Sequence, residues 1–354
     1  MRTGWRDHYF SIDLRSLGLF RILLAAVLLG DWFARWPNLA AFYTADGFLP
    51  GDVLLGTAAG DYRFNFLAGV TSLGAVRCVF LAGLVSHALF LLGWRTRFFN
   101  ATSFLFFLSV LQRNELIGHG GDYVLLVFCM WALFLPLGRR FSVDAAQRAL
   151  RLGQEASPEA LRRTLAAEAQ RSAPSLAALV IVLQIGLIYF LAAVVKHGET
   201  WRDGTAVYYA LHLDHFATPM GVWLRERPLG LLRGIAWGTL ALEYAALPLL
   251  LFPWGRPWVR RLTILALAGM HVGFSLTMTI GTFSASMIAA LALCLSGRDW
   301  DWIERGLLLA SRPVTAYYDD ACGVCLRCAR LLAAADRAGK IRLIGSSERA
   351  ASVI

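Results

Sequence analysis

Pro174-Ser-Leu-Ala-Ala-Leu-Val-Ile-Val-Leu-Gln-Ile-Gly-Leu-Ile-Tyr-Phe-Leu-Ala-Ala-Val-Val195 runs directly into Lys196-His-Gly-Glu-Thr-Trp201. The first part holds 22 residues without a charge, about the 20 that a helix needs to cross the hydrocarbon of a bilayer. The second part begins with an unusual choice of cation. Of the 34 Lys plus Arg, only Lys196 and Lys340 are lysine. Arginine stays charged nearly everywhere, whereas a partly desolvated lysine can shed its proton and act as base or nucleophile. A chain that avoids lysine yet keeps one where an apolar run meets a polar loop points to a chemical requirement. The alternative is an interfacial anchor whose ammonium snorkels to the headgroups.

Composition extends the membrane reading to the whole chain. It is 57% hydrophobic and 16% charged, with mean hydropathy +0.55, far less charge than an ordinary soluble domain. Apolar runs predict spans at Leu17–Phe33, Ala75–Trp94, Asp122–Leu137, Pro174–Val195, Leu231–Phe252, Leu262–Thr279 and Thr282–Ser296. A shorter run at Phe98–Leu111 reaches across only with its flanks. The expected fold is therefore an all-α polytopic membrane protein of about eight transmembrane helices. Trp32, Phe33 and Trp36 follow the first run where a cleavage site would carry small residues, so that run is read as a span and not a signal peptide.

Arginines set the expected orientation. Arg2, Arg6 and Arg15 precede span one, Arg95 and Arg97 follow span two, and seven arginines between Arg139 and Arg171 follow span four. Arg256, Arg260 and Arg261 follow span six, and Arg298, Arg305 and Arg312 follow span eight. The positive-inside rule then puts both termini in the cytoplasm, with a bacterial cell membrane as the expected location. The net charge of +10 orients the protein and meets the lipid surface; it is not a nucleic-acid footprint. Residues 138–173 read as a cytoplasmic helical loop. Ser157-Pro158 before Glu159 opens its second helix, with serine as cap and proline in the first turn.

The outward side gathers the chemistry. Gln112-Arg-Asn-Glu-Leu-Ile-Gly-His119-Gly-Gly-Asp122 and the loop 197–230 fall there. Glu243 and His271 lie inside spans. A carboxylate near a span's centre costs about 2.5–3.5 kcal/mol to insert, so it has a partner or lines an aqueous path. His87 reads as core packing, and Cys78, Cys129 and Cys294 as buried packing residues.

Phe42-Tyr-Thr-Ala-Asp-Gly-Phe-Leu-Pro50, Arg113-Asn with Gly120-Gly-Asp122, Phe134-Leu-Pro136, Tyr189…Lys196…Trp201, and Glu243 with Pro248 together resemble the horizontally transferred transmembrane (HTTM) domain. That domain is the membrane part of vitamin K-dependent gamma-carboxylase, and the resemblance spans roughly residues 10–297. It implies that Lys196, five residues before Trp201, is the base that begins hydroquinone oxidation. It also implies that His119 supports the carboxylation half and that the lipophilic substrate or cofactor is a quinone such as vitamin K. The outward loops, 197–230 the longest after span five, offer no counterpart of the lumenal domain that holds the carboxylase's protein substrate. Base-initiated oxidation of a lipophilic substrate is thus expected, without protein carboxylation. Desolvation at the apolar end of a helix favours the neutral amine that this chemistry needs.

After a linker at 301–313, Val314-Thr-Ala-Tyr-Tyr-Asp-Asp-Ala-Cys322-Gly-Val-Cys325-Leu-Arg-Cys328 predicts a strand, a dithiol and a helix running through Asp336. It resembles the DCC-type thiol-disulfide oxidoreductases through Asp319, Cys322 and Cys325. Zinc is the rival reading of three thiolates, but no fourth ligand follows. The 41 residues from Val314 to Ile354 make a partial α/β thioredoxin-like segment, too small to bury a stable core by itself. Two expectations stand for it: the segment is truncated relative to its relatives, or a partner subunit completes the fold. Three function classes stand: a carboxylase-like membrane enzyme, a thiol-disulfide relay through Cys322 and Cys325, and a scaffold or transporter without covalent chemistry.

Overall fold

The computed structural model describes residues 11–50, 53, 64–152, 160–161, 176–251, 257–309, 314–336 and 340–351. The second helix expected at Ser157 and the arginines between 162 and 171 lie outside the described residues. Helices dominate: α1 Leu14–Arg35, α2 Leu39–Tyr43, α3 Leu73–Leu92, α4 Thr96–Arg113, α5 Gly120–Ala132, α6 Val143–Leu152 and α7 Leu176–Val194. Three short helices follow in the 196–228 loop, α8 Glu199–Arg202, α9 Ala206–Leu211 and α10 Pro219–Arg225. The bundle closes with α11 Leu229–Leu251, α12 Pro257–Thr277, α13 Phe283–Leu291 and α14 Gly297–Leu309.

Five of the described helical stretches are long and apolar enough to cross a membrane: Leu14–Tyr43, Leu73–Leu92, Leu176–Val194, Leu229–Leu251 and Trp258–Thr277. Gly120–Ala132 and Phe283–Cys294 are apolar but shorter. Both fall short of the runs read from sequence for local reasons. Pro136 cannot donate into a helix, and the chain turns to a 3-10 step at Leu137–Arg139. Likewise α13 tightens into a 3-10 turn at Ala292–Cys294. The Phe98–Leu111 run lies within the 18-residue α4.

Cap residues start α1 and both start and stop α3. Asp13 caps α1, its carboxylate accepting from the Arg15 N–H at 2.8 Å. Ser72 caps α3, and Gly93 ends it at φ 68°, a left-handed conformation that glycine adopts without steric cost. The apolar faces meet in one core containing Phe20, Leu28, Phe128, Ile181, Leu267 and Met287. Trp32 anchors a smaller cluster on α1, α2 and α3. Its indole N–H donates to the Phe80 carbonyl at 2.7 Å. The Gly83 Cα position touches that ring so closely that no Cβ would fit. His87 is buried edge-on to Trp32, as a core residue. Cys129 and Cys294 are buried, but Cys78, expected to be a packing residue, is exposed on the outer face of α3.

Side-chain ties sort the loops into two ends. At one end Arg15 bridges Asp13, Asp301 and Glu304, Arg21 donates to the Leu137, Arg140 and Phe141 carbonyls, and Asp144 accepts from the Thr96 N–H at 2.8 Å. Arg261 pairs with Asp299 there. At the other end Arg113 holds the Leu49 and Thr44 carbonyls at 2.9 and 3.0 Å, and Trp237 donates to the Arg202 carbonyl at 3.3 Å.

The stretch read as a linker from 301 to 313 begins as part of α14, whose Trp300 indole N–H donates to Ser16 at 2.8 Å. Beyond it, β1 Val314–Tyr318, α15 Gly323–Ala335, β2 Ile341–Gly345 and α16 Ser346–Ala351 form a small α/β unit. The two strands pair in parallel, Val314 with Ile341 through Tyr318 with Gly345, as a βαβ connection requires. This unit packs through α15 against α6.

Candidate functional site

The antiparallel packing of α7 on α11 is the most extensive helix contact in the bundle. Gly186 of α7 abuts Leu247 of α11, which fixes the register. Moving toward Lys196 on one helix means moving toward Trp237 on the other. Tyr189 therefore lies level with Glu243 and Tyr244, and the rings of Phe190 and Tyr244 meet edge to face at 6.0 Å. Helical side chains lean toward the helix N-terminus. Lys196, just past the end of α7, thus reaches back into the bundle.

Both carboxylate oxygens of Glu243 accept from Lys196 Nζ. The Glu243 side chain is 5% exposed and that of Lys196 is 21% exposed, so the pair is open at the lysine end only. Lys196 Nζ also lies 5.1 Å from the centre of the Trp201 ring, in range for a cation–π contact. The motif read from sequence, lysine five residues before tryptophan, is thereby a physical stack. Glu243 is its counter-ion, which answers the question that a carboxylate inside a span poses.

Beneath the pair, Tyr189 Oη lies 2.9 Å from His271 Nε2. His271 Nδ1 faces Ser284 Oγ at 3.4 Å, and the rings of Phe274 and Phe283 enclose the imidazole. Lys196, Glu243 and His271 are thus brought into one neighbourhood.

His119 is elsewhere. It caps α5: its Nδ1 accepts from the Gly121 N–H at 3.1 Å, and the Asp122 carboxylate accepts from the His119 N–H at 3.3 Å. Asp122 also receives Arg35 Nη2 at 3.2 Å. Arg35 in turn holds Asp31 at 2.7 Å and donates to Tyr43 Oη at 3.0 Å. Sequence reading missed this buried network. Its signal was present, since Asp31 and Arg35 stand at i,i+4 spacing at the end of an apolar run. Thr282 touches Asp122 at 3.5 Å, two residues before Ser284.

Cys322 and Cys325 are far from this centre, on the α/β unit. Cys322 is the N-cap of α15. The Cys325 N–H, the Cys325 thiol and the Val324 N–H all point at its sulfur and lower its pKa from the ordinary thiol value. The Cys325 thiol, as donor to that sulfur, is pushed up. Among the described residues no group of three or more His, Cys, Asp or Glu side chains is placed to hold a metal ion.

A family model of the HTTM domain matches residues 9–300. The chain belongs to the HTTM family. The match covers the helical bundle and ends before the C-terminal α/β unit, so Lys196, Glu243, Tyr189, His271 and the His119 network are all within the HTTM domain. With five helices apolar enough to span, this HTTM-domain protein is an integral membrane protein in contact with lipid. No curated protein and no solved structure matches it.

Proposed function

We propose that this HTTM-domain protein is a membrane enzyme related to the vitamin K-dependent carboxylase, using Lys196 as the base that initiates oxidation of a lipophilic quinol. The observation that carries the reading is the Lys196–Glu243 pair under Trp201 at the end of an uncharged helix. In the resting pair Glu243 holds one proton-accepting position and Lys196 donates to it. Shift of the shared proton to the carboxylate gives a neutral amine, which takes a proton from a quinol hydroxyl. The quinolate left behind is electron-rich and gives two electrons to dissolved dioxygen, which takes up the two quinol protons and leaves as hydrogen peroxide. A flat apolar ring arriving from the bilayer meets Trp201 first, and exclusion of water over the pair strengthens each polar contact there.

The two sets of ties at the loop ends support eight spans with both termini on one side, since Arg15, Asp144, Asp299 and Asp301 meet at the same end. Lys196 and His119 then face outward, and the basic end faces the cytoplasm of a bacterial cell. The test is direct. Protein in liposomes is given reduced menadione, a short-tailed quinol, and appearance of the quinone is followed optically against protein-free liposomes. Turnover above that background is expected; its absence rejects the reading.

A second reading rests on Cys322. A thiol at a helix N-terminus that receives backbone N–H groups favours its thiolate, as a thiol-disulfide relay needs. Because its pKa is lowered and that of Cys325 is raised, Cys322 becomes nucleophilic at lower pH. Alkylation by iodoacetamide, read by peptide mass spectrometry, is expected to set in at Cys322 below the pH at which Cys325 reacts. Simultaneous labelling of the two would remove the relay.

A further inference from the structure

Thr218 fastens the 196–228 loop to the end of α12. Its N–H donates to the Thr277 carbonyl at 3.1 Å, and its hydroxyl donates to the Leu276 carbonyl. In return the Thr279 N–H and hydroxyl both donate to the Phe216 carbonyl, at 2.7 and 2.9 Å. Gly221 of α10 abuts the Thr277 carbonyl so closely that a Cβ there would not fit. α12 is long and apolar enough to cross a membrane, and Thr277 is its last residue. The turn before α10 and α10 itself are therefore held at the depth where that span ends.

The side of α10 turned away from Gly221 is apolar and open. Met220 and Trp223 stand three residues apart on one face. Each is about half exposed, as is Leu213 in the preceding turn. Arg227 joins them: its guanidinium carbon lies 4.7 Å from the centre of the Trp223 ring, and its Nε donates to the Trp223 carbonyl at 3.3 Å. Arg225 is engaged by Asp214 at 3.3 Å, whereas among the described residues no carboxylate pairs with Arg227. On α12, Val272 and Leu276 are exposed one turn apart, so the lipid-facing stripe of that span runs up to the residues that Thr218 grips.

We propose that residues 213–227 form a shelf seated in the phospholipid headgroup layer, with Trp223 and Arg227 as its anchors. The open face continues the lipid-facing stripe of α12, which makes lipid its occupant. An indole belongs at the level of the headgroups, where its apolar body and polar N–H are both accommodated. The guanidinium beside it, free of a carboxylate, meets a lipid phosphate through charge-assisted hydrogen bonds. Leu213 and Met220 then bury apolar surface at the boundary between headgroups and acyl chains, which they would leave bare in water.

The test uses full-length protein in liposomes of phosphatidylcholine and phosphatidylglycerol. One preparation carries bromine on the acyl carbons nearest the headgroups, in both leaflets, because bromine quenches indole emission on contact. Trp223 is one of 12 tryptophans, so its share is the emission that Trp223→Phe lacks. That share is expected to lie to the blue of indole in water and to be largely lost in brominated lipid. A red-shifted share that bromine leaves unchanged overturns the shelf, since the indole then stands in water. A blue share that bromine leaves unchanged overturns it too, since a second copy of the chain or another protein surface then covers the face. Should Trp223→Phe not fold, Met220→Trp adds an indole to the same face. Its extra emission is expected to be quenched by bromine, and extra emission that survives overturns the proposal.

Discussion

Replacing Lys196 by arginine is expected to lower quinol oxidation by on the order of 10²- to 10⁴-fold in a protein that still folds. The guanidinium preserves the charge, matches the Glu243 carboxylate with a planar two-pronged contact and stacks on Trp201 as well as an ammonium does. It therefore keeps what an anchoring role requires. It cannot shed its proton under ordinary conditions, so it removes only the basic function. Quinone formation at saturating quinol, with thermal unfolding measured on the same preparation, separates the outcomes. An unchanged rate in Lys196→Arg would leave the residue an interfacial anchor.

Asp122→Ala is expected to be the most damaging single change at the His119 end of the bundle, destabilising by about 3–5 kcal/mol, the cost of removing one partner from a buried charge pair. Asp122 is fully buried. Its carboxylate is shared by Arg35 Nη2 and the His119 N–H, so truncation leaves a mostly buried guanidinium short of a partner and undoes half of the α5 capping box. Asp31, which holds Arg35 Nε at 2.7 Å, moderates the loss toward the lower figure. Asp122→Asn keeps one accepting oxygen, and with it the contact to either Arg35 or the His119 N–H, and is expected to cost less. The check is equilibrium unfolding in detergent for wild type and both variants. Equal stability of wild type and Asp122→Ala would mean that Asp31 alone neutralises Arg35.

Much of the bundle was legible in the sequence because a bilayer leaves backbone polar groups no partner but a helix. Leu176–Val194 falls inside the run Pro174–Val195 for that reason, and the strand–dithiol–helix order at Val314–Ala335 followed from a motif with fixed geometry. What sequence could not supply was pairing across the bundle. Lys196 and Glu243 are 47 residues apart, and nothing in local periodicity links them; the register set by Gly186 against Leu247 does. Tyr189 and His271, 82 residues apart, are equally invisible one at a time. The helical start of the 301–313 stretch escaped because its charged residues suggested a polar connection. In the fold those charges are anchors, Asp301 and Glu304 both binding Arg15.

The near-absence of lysine has a use of its own. Lys196 belongs to the end of the bundle that holds His119, whereas Lys340 precedes β2 in the unit packed on α6, which Asp144 fastens to the opposite end. The two ε-amines of the chain thus mark opposite faces. In sealed vesicles an acylating reagent that cannot permeate lipid modifies one or the other, and the mass of the labelled peptide reports directly which way the protein is inserted.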